Sequence, residues 1–343
     1  MSTTIPPGSW ILITGATGFV ATQITQALLT RGYKVRGTVR DAAKASWLIT
    51  DLFRAAHAAG TYELVVVPTL ADAHAFDEAI RGVSAVAHVA SVVTLDANPE
   101  RVIPQTVLGV TALLEAASRE VSVKEFVYTS SIVAATMPVA GNQTLVGSET
   151  FNELALRLAW EGRREEVNGF LVYMASKAAA EKAVWEFVRD KKPRFTVNSV
   201  VPGTIIGAPM HRAQVASDGQ WMRHVYEGNA GFLLACPESY TVDVKDVALL
   251  HVAAILDPDT KNARLQAWAD NTNWNAILAI MRRQFPDDKW SEDIEGVGQD
   301  KLSITTDFSQ QLALLKKWAG QEGWVPLERT VEESIRVIKE FSA

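Results

Sequence analysis

Three features of the 343-residue sequence predict an α/β protein built on a doubly wound parallel sheet, with a smaller lobe formed by the C-terminal part. Short apolar runs alternate with amphipathic stretches of helical length through the first two hundred residues, the pattern of repeated βαβ units. Most of those runs are rich in Val and Ile without strict alternation, as expected of strands covered by helices on both faces. A glycine-containing turn joins the first run directly to the first helical stretch.

Taken in order, strands are expected at 10–14, 34–39, 62–67, 85–90, 125–130 and 195–201. Helices are expected between them at 20–30, 42–59, 73–81, 101–119 and 173–189, the second of these on its alanine content. After Pro202 the regularity breaks at Gly203, Gly207, Pro209, Gly219, Gly228, Gly231 and Pro237. The sequence therefore divides into a nucleotide-binding domain, 1–202, and a smaller substrate lobe, 203–343. A helix near 241–257 is expected to return to the first domain, and further helices to lie near 274–285, 308–318 and 330–341.

The turn after the first strand reads Thr14-Gly15-Ala16-Thr17-Gly18-Phe19-Val20-Ala21. Glycines there let the backbone approach a pyrophosphate, and the following helix N-terminus offers unpaired N–H groups and partial positive charge. Ala21 stands at the third position of the usual dinucleotide fingerprint, where close helix packing tolerates alanine. Gly15, Thr17, Gly18, Phe19 and Val20 are thus candidate cofactor contacts in a Rossmann-type domain. At the end of the second strand an acidic residue would bind a ribose 2′-hydroxyl. Here the sequence is Val39-Arg40-Asp41 with Lys44 beyond, so cations stand where a 2′-phosphate would lie, and NADP(H) is favoured. Asp41 is expected to cap the next turn instead.

Of six tyrosines, only Tyr173 has a lysine four residues later, Lys177, which puts both side chains on one helix face. A cation about 4 Å from a phenol is worth roughly 4 kcal/mol at an effective dielectric of 20, enough to draw a pKa near ~10 toward ~7, where a general acid works. The fifth strand ends in Thr129-Ser130-Ser131, at the carboxyl edge where open parallel sheets bind ligands. Strand-end serines also serve as plain caps, and a Tyr and Lys can share a helix face by accident.

Composition narrows the partners. Lys and Arg total 33 against 39 Asp and Glu, with no long like-charge block, so neither nucleic acid nor an anionic membrane is suggested. A single cysteine, Cys236, excludes an intrachain disulfide. The N-terminal stretch lacks a basic-then-apolar signal pattern and no apolar run reaches ~18 residues, from which a cytoplasmic protein is expected. The six histidines form no close pair, so no metal site is expected, and no Gly-x-Ser-x-Gly elbow is present.

The ordered set TGATGF (14–19), VRGTVRD (35–41), HVAS (88–91), FVYTSS (126–131), YMASK (173–177) and VVPGTIIG (200–207) resembles the extended short-chain dehydrogenases/reductases. The branch it is most similar to holds dihydroflavonol reductases and yeast-type aldehyde and methylglyoxal reductases. The resemblance implies Ser131 as catalytic hydroxyl, Tyr173 as acid/base, and Lys177 as holder of the nicotinamide ribose. It implies Arg40 and Lys44 as the source of NADPH preference, Ala90 and Ser91 along the ribose, Thr129 and Ser130 on the cofactor side of the fifth strand, and Pro202, Gly203, Thr204 and Ile205 by the nicotinamide. Thr69 and Leu70 stand where the family often places an acid against the adenine, and the NWYCYGK stretch of thioester-reducing plant members is absent.

The expected function is NADPH-dependent reduction of aldehydes and ketones, including aryl ketones and ketoesters, to chiral alcohols. A nucleotide-sugar epimerase or dehydratase, with Arg212 and Arg223 as diphosphate cations, and a non-catalytic NADP-binding sensor remain alternatives. Val93, Leu95, Met137, Val139, Leu234, Cys236 and Glu238 are the candidate pocket, largely apolar and suited to a bulky small-molecule carbonyl. A monomer or a homodimer is expected.

Overall fold

The computed structural model describes residues 2–91, 94–139, 141, 143–163, 167–215, 220–298 and 301–342. Its strands are β1 (Trp10–Ile13), β2 (Lys34–Val39), β3 (Tyr62–Val66), β4 (Ala85–His88), β5 (Glu125–Thr129), β6 (Thr196–Pro202), β7 (Thr204–Ile206), β8 (Glu238–Asp243), β9 (Arg264–Ala267) and β10 (Asp270–Asn273). Seven of them form one sheet in the order β3-β2-β1-β4-β5-β6-β9, every pairing parallel. The chain winds outward from β1 to β3 and then crosses back to β4 beside β1. The carboxyl ends of β1 and β4 are therefore the topological switch point, where such sheets open a crevice for ligands.

The helices are α1 (Phe19–Thr30), α2 (Arg54–Ala58), α3 (Pro99–Arg119), α4 (Ile132–Ala135), α5 (Glu153–Glu161), α6 (Gly169–Lys191), α7 (Arg212–Val215), α8 (Trp221–Glu227), α9 (Ala230–Leu233), α10 (Val244–Leu256), α11 (Trp274–Gln284), α12 (Ser309–Ala319) and α13 (Leu327–Ser342). On one face of the sheet α1, α10 and α12 bury Ile24, Leu28, Val247, Leu250, Leu314 and Leu315 against Ile11, Ile13 and Val35. On the other, α3 and α6 bury Leu113, Ala117, Val184 and Phe187 against Leu12, Val86 and Phe126. Both faces of β1, β4 and β5 are thus covered, which is why those runs are apolar throughout rather than alternating.

A three-stranded sheet, β10-β8-β7, carries a separate core of Met222, Val225, Leu233, Trp274, Ile277, Leu278, Met281, Val331, Ile335 and Ile338 from α8, α9, α11 and α13. Not all of the C-terminal half lies there. Besides α10, strand β9 completes the large sheet beside β6, and Trp268 just after it is fully buried, its indole N–H donating to Val201 O at 2.9 Å.

Two expected helices are corrected. Over 42–59 the chain forms turns, a π-helical turn at Leu48–Leu52 and the five-residue α2. Alanine favours helix but supplies no apolar stripe, and here single anchors, Ala45, Leu48 and Phe53, hold irregular backbone to the core. Residues 73–81 are turns, because the Arg36 guanidinium draws the carbonyls of Ala79 and Arg81 toward itself at 2.9 and 2.7 Å while Phe76 and Ile80 fill the core. Among the described residues no helix is long and apolar enough to cross a membrane.

Candidate active site at the carboxyl edge of the sheet

The glycine turn is braced by hydroxyls. Buried Thr14 accepts from the backbone N–H of Val89 and of Ala90, both at 3.0 Å, so its own proton goes to His88 Nδ1 at 2.9 Å. Burial, with the Lys177 ammonium nearby, pushes His88 down to about 3, and the ring is a neutral Nε2–H tautomer by this hydrogen-bond inventory. The Gly15 N–H donates to Thr38 Oγ1 at 3.2 Å. Gly15 itself has φ +68°, and a Cβ there would meet Ala90 at 3.2 Å, so only glycine suits the turn. Helix α1 begins after Gly18 with no side-chain cap and no acidic residue in its first turn, leaving its N–H groups available to an anion. Gln214 of α7, which the sequence did not single out, is buried and donates to Thr17 O, Gly18 O and Thr22 Oγ1 at 3.3, 3.3 and 3.0 Å.

Past β2, Arg40 and Lys44 are exposed and have no ion-pair partner among the described residues. Asp41 is turned back, its Oδ1 accepting from the N–H groups of Ala43 and Lys44 at 2.9 and 3.2 Å. Arg36, by contrast, is consumed by Glu63 at 2.5 Å and by the Trp10 ring. These residues fit a dinucleotide carrying a 2′-phosphate: an uncapped helix start behind a glycine turn, then two unpaired cations. Leu70, Ala90 and Ser91 line one small cleft with His88 and Tyr128, and Thr69 is exposed beside it.

Helix α6 starts four residues earlier than expected, so Tyr173 lies in its second turn. Asn168 caps it, accepting from Leu171 N–H at 2.9 Å, and a Cβ on Gly169 would sit 2.0 Å from Leu95 O, so glycine there lets the 95 loop pack on the helix. Tyr173 is half-buried and its phenol feels the Ser131 hydroxyl, whose Oγ accepts from Val133 N–H as the cap of α4. Lys177 is 4% exposed; its Nζ donates to Thr129 O at 3.3 Å and lies 5.8 Å from the centre of the Tyr128 ring.

The electrostatics correct one expectation. Burial raises the Tyr173 phenol above its ordinary value, the Ser131 hydrogen bond works the other way, and Cys236 raises it further; Lys177 is not among the causes. Burial instead lowers Lys177 to about 8, opposed by Glu181. In the polypeptide alone the ammonium is directed at Thr129 O rather than at the phenol.

The hydroxyls of Thr129 and Ser130 point away from the site, to His251 Nε2 at 2.8 Å and Glu181 Oε2 at 2.7 Å, so their free contribution to a cofactor is backbone. Pro202 ends β6, Gly203 follows, and Thr204 Oγ1 bonds to Ser239 Oγ at 2.6 Å beside half-buried Ile205. Met137 shares a cluster with Tyr173; Cys236 is buried, and burial pushes its thiol up to about 11. Glu238 is buried, while Leu95, Val139 and Leu234 are exposed. Val93 lies outside the described residues. Among the described residues no group of three or more His, Cys, Asp or Glu could hold a metal ion.

Comparison with known proteins places residues 11–266 in a family described as NAD dependent epimerase/dehydratase. An NAD-dependent epimerase/dehydratase, terH, of Aspergillus terreus is 37% identical over 95% of this chain and 96% of its own. Aldehyde reductase 2 of Sporidiobolus salmonicolor is 35% identical over 97% and 95%. Ketoreductase adrE of Penicillium rubens is 33% identical over 96% and 97%. Among solved structures, yeast methylglyoxal/isovaleraldehyde reductase Gre2 complexed with NADPH superposes with a TM-score of 0.81 at 26% identity, covering 97% of this chain and 99% of that one.

Proposed function

Because the chain belongs to the NAD dependent epimerase/dehydratase family, as an extended short-chain dehydrogenase/reductase, we propose that it is an NADPH-dependent reductase of aldehydes and ketones, aryl ketones and ketoesters included. The observation that carries the reading is the gathering of Tyr173, Ser131 and Lys177 at the carboxyl edge of β5: the Ser131 hydroxyl acts on the half-buried phenol, and the buried Lys177 ammonium donates to Thr129 O one helical turn on. Relatives named aldehyde reductase and ketoreductase, and the NADPH-bound Gre2 structure, support the same chemistry.

NADP(H), when bound, supplies the hydride that reaches the carbonyl carbon. Gly15, Thr17, Gly18, Phe19 and Val20 hold its pyrophosphate by backbone N–H groups and the α1 dipole, and Arg40 with Lys44 pairs with the 2′-phosphate. Thr69, Leu70, Ala90 and Ser91 would hold its adenosine half, and Thr129, Ser130, Pro202, Gly203, Thr204 and Ile205 its nicotinamide half. Ser131 donates a hydrogen bond to the substrate oxygen, and Tyr173 transfers its phenolic proton to that oxygen as negative charge develops. The Lys177 charge offsets the phenolate this leaves and holds the coenzyme ribose. Met137, Cys236, Leu234, Leu95 and Glu238 bound the substrate side, with residues 1–202 as the coenzyme domain and the region from 203 on supplying the other wall.

The nucleotide-sugar alternative is supported less. One of its two expected cations, Arg223, is held by Glu227 at 2.8 Å. The test is the loss of NADPH absorbance at 340 nm with a panel of aryl ketones and ketoesters, run in parallel with NADH. Turnover with NADPH and a much weaker rate with NADH are expected. No oxidation by any carbonyl defeats the reductase reading, and equal rates with both coenzymes defeat the role of Arg40.

A further inference from the structure

Helix α6 grips the end of β5 with three side chains on successive turns. Tyr173 meets the Ser131 hydroxyl, Lys177 Nζ donates to Thr129 O, and Glu181, four residues further on, accepts from Ser130 Oγ at 2.7 Å. The first two rungs belong to the proposed chemistry. Glu181 has no place in it, yet it is completely buried and more heavily ligated than either. Arg264 of β9 meets it with two bonds, Nε to Oε1 at 2.9 Å and Nη2 to Oε2 at 2.8 Å, and Ser199 of β6 donates to Oε1 at 2.9 Å. The Arg264 side chain is 1% exposed, its Nη1 donates to the carbonyls of Gly147, Ser148 and Thr150, and its guanidinium lies 4.4 Å over the Phe151 ring.

A sealed ion pair is a poor source of stability, since an apolar pair of the same volume is often as good or better. What this pair does that an apolar pair would not is fix Ser130, the chain neighbour of Ser131, and set a negative charge one helical turn from Lys177. We propose that Glu181 and Arg264 are positioning residues for carbonyl reduction: together they lock the Thr129–Ser131 segment in register with α6 and give Lys177 its counter-charge. The inference rests on the roles given above to Tyr173, Lys177 and Ser131.

The groups around Lys177 agree with this. Tyr173 flanks it on α6, Tyr128 on β5 and His88 on β4, while His251 of α10 is bonded to Thr129 Oγ1 behind it. Burial holds His88 down to about 3 and His251 to about 4, so both rings are neutral, and it raises the Tyr128 phenol. Glu181 works against the burial that lowers Lys177, and Arg264 stands on the far side of that carboxylate.

Two serines give a clean contrast. Ser130→Ala and Ser199→Ala each delete one hydroxyl donor to Glu181, but only Ser130 adjoins Ser131. With NADPH and an aryl ketone, kcat is expected to fall at least about tenfold for Ser130→Ala and less than about threefold for Ser199→Ala, with similar losses of thermal stability. Equal effects on kcat overturn the proposal. Independently, the Lys177 amine is titrated by NMR in coenzyme-free, lysine-labelled protein, with Lys177→Met to assign its signal. Glu181→Gln, or the apolar pair Glu181→Leu with Arg264→Met should the first not fold, is expected to move that titration to lower pH; an unmoved titration also overturns the proposal. If the wild-type protein reduces no carbonyl, the underlying reading fails while the Lys177 titration still judges the pair.

Discussion

Replacing Lys177 by methionine is expected to remove activity and yet stabilise the coenzyme-free protein near pH 7. Burial lowers Lys177 from 10.5 to about 8, so the folded state disfavours its charged form. At about 1.36 kcal/mol per pH unit, that fall corresponds to roughly 3 kcal/mol of destabilisation below pH 8, where folded and unfolded chains both carry the proton. Between pH 8 and 10.5 the unfolded chain binds more protons than the folded one, so wild-type stability gains as pH rises, and above 10.5 the penalty is gone. Methionine fills similar volume without charge. It forfeits the bond to Thr129 O, about 1 kcal/mol, and the contact with the Tyr128 ring, about 0.5–1 kcal/mol. Glu181 is not stranded, because Arg264, Ser130 and Ser199 still hold it. The net gain is about 1–2 kcal/mol, a rise in Tm of a few °C. Urea unfolding of both proteins, coenzyme-free, at several values between pH 7 and about 10 reads this directly. A methionine variant less stable than wild type at pH 7, or an advantage that does not shrink as pH rises past 8, refutes the reasoning.

Three further outcomes are expected. Tyr173→Phe removes the proposed proton donor and should lower kcat about 10²- to 10⁴-fold with NADPH affinity, read by fluorescence titration, nearly unchanged. Arg40→Ala should raise KM for NADPH about 10- to 100-fold and leave KM for NADH alone, since one charge-assisted pairing is worth roughly 1.5–3 kcal/mol. Gly169→Ala drives a methyl into Leu95 O and should cost about 1–3 kcal/mol in thermal unfolding, with kcat reduced because Tyr173 lies one turn along the same helix.

The sheet and the site were unequally legible. β1 to β6 were readable because burial on both faces leaves an unbroken apolar run, and the Tyr173–Lys177 spacing because helical geometry turns a four-residue interval into a shared face. β9 and β10, RLQA and DNTN, carry no such run; they are strands because neighbours already in place supply the pairing. The alanine-rich 42–59 misled because propensity acts locally while anchoring by Leu48 and Phe53 is decided by the fold. Glu181 had a signal, the same four-residue step repeated beyond Lys177. Arg264 had none: 83 positions separate it from its partner. Gln214 likewise meets the glycine turn across 192 positions or more.

The lateness of β9 in the chain bears on how the protein is made. Every backbone group proposed above to hold a pyrophosphate precedes residue 92, so a growing chain completes that turn early, whereas residues 264–267 leave the ribosome long after α6 and β6. In the interval β6 is a bare sheet edge, and Glu181 is a carboxylate headed for the interior without its guanidinium. Arrival of the last strand is thus the event that covers β6, moves that edge of the large sheet out to the four-residue β9, and brings Glu181 its guanidinium.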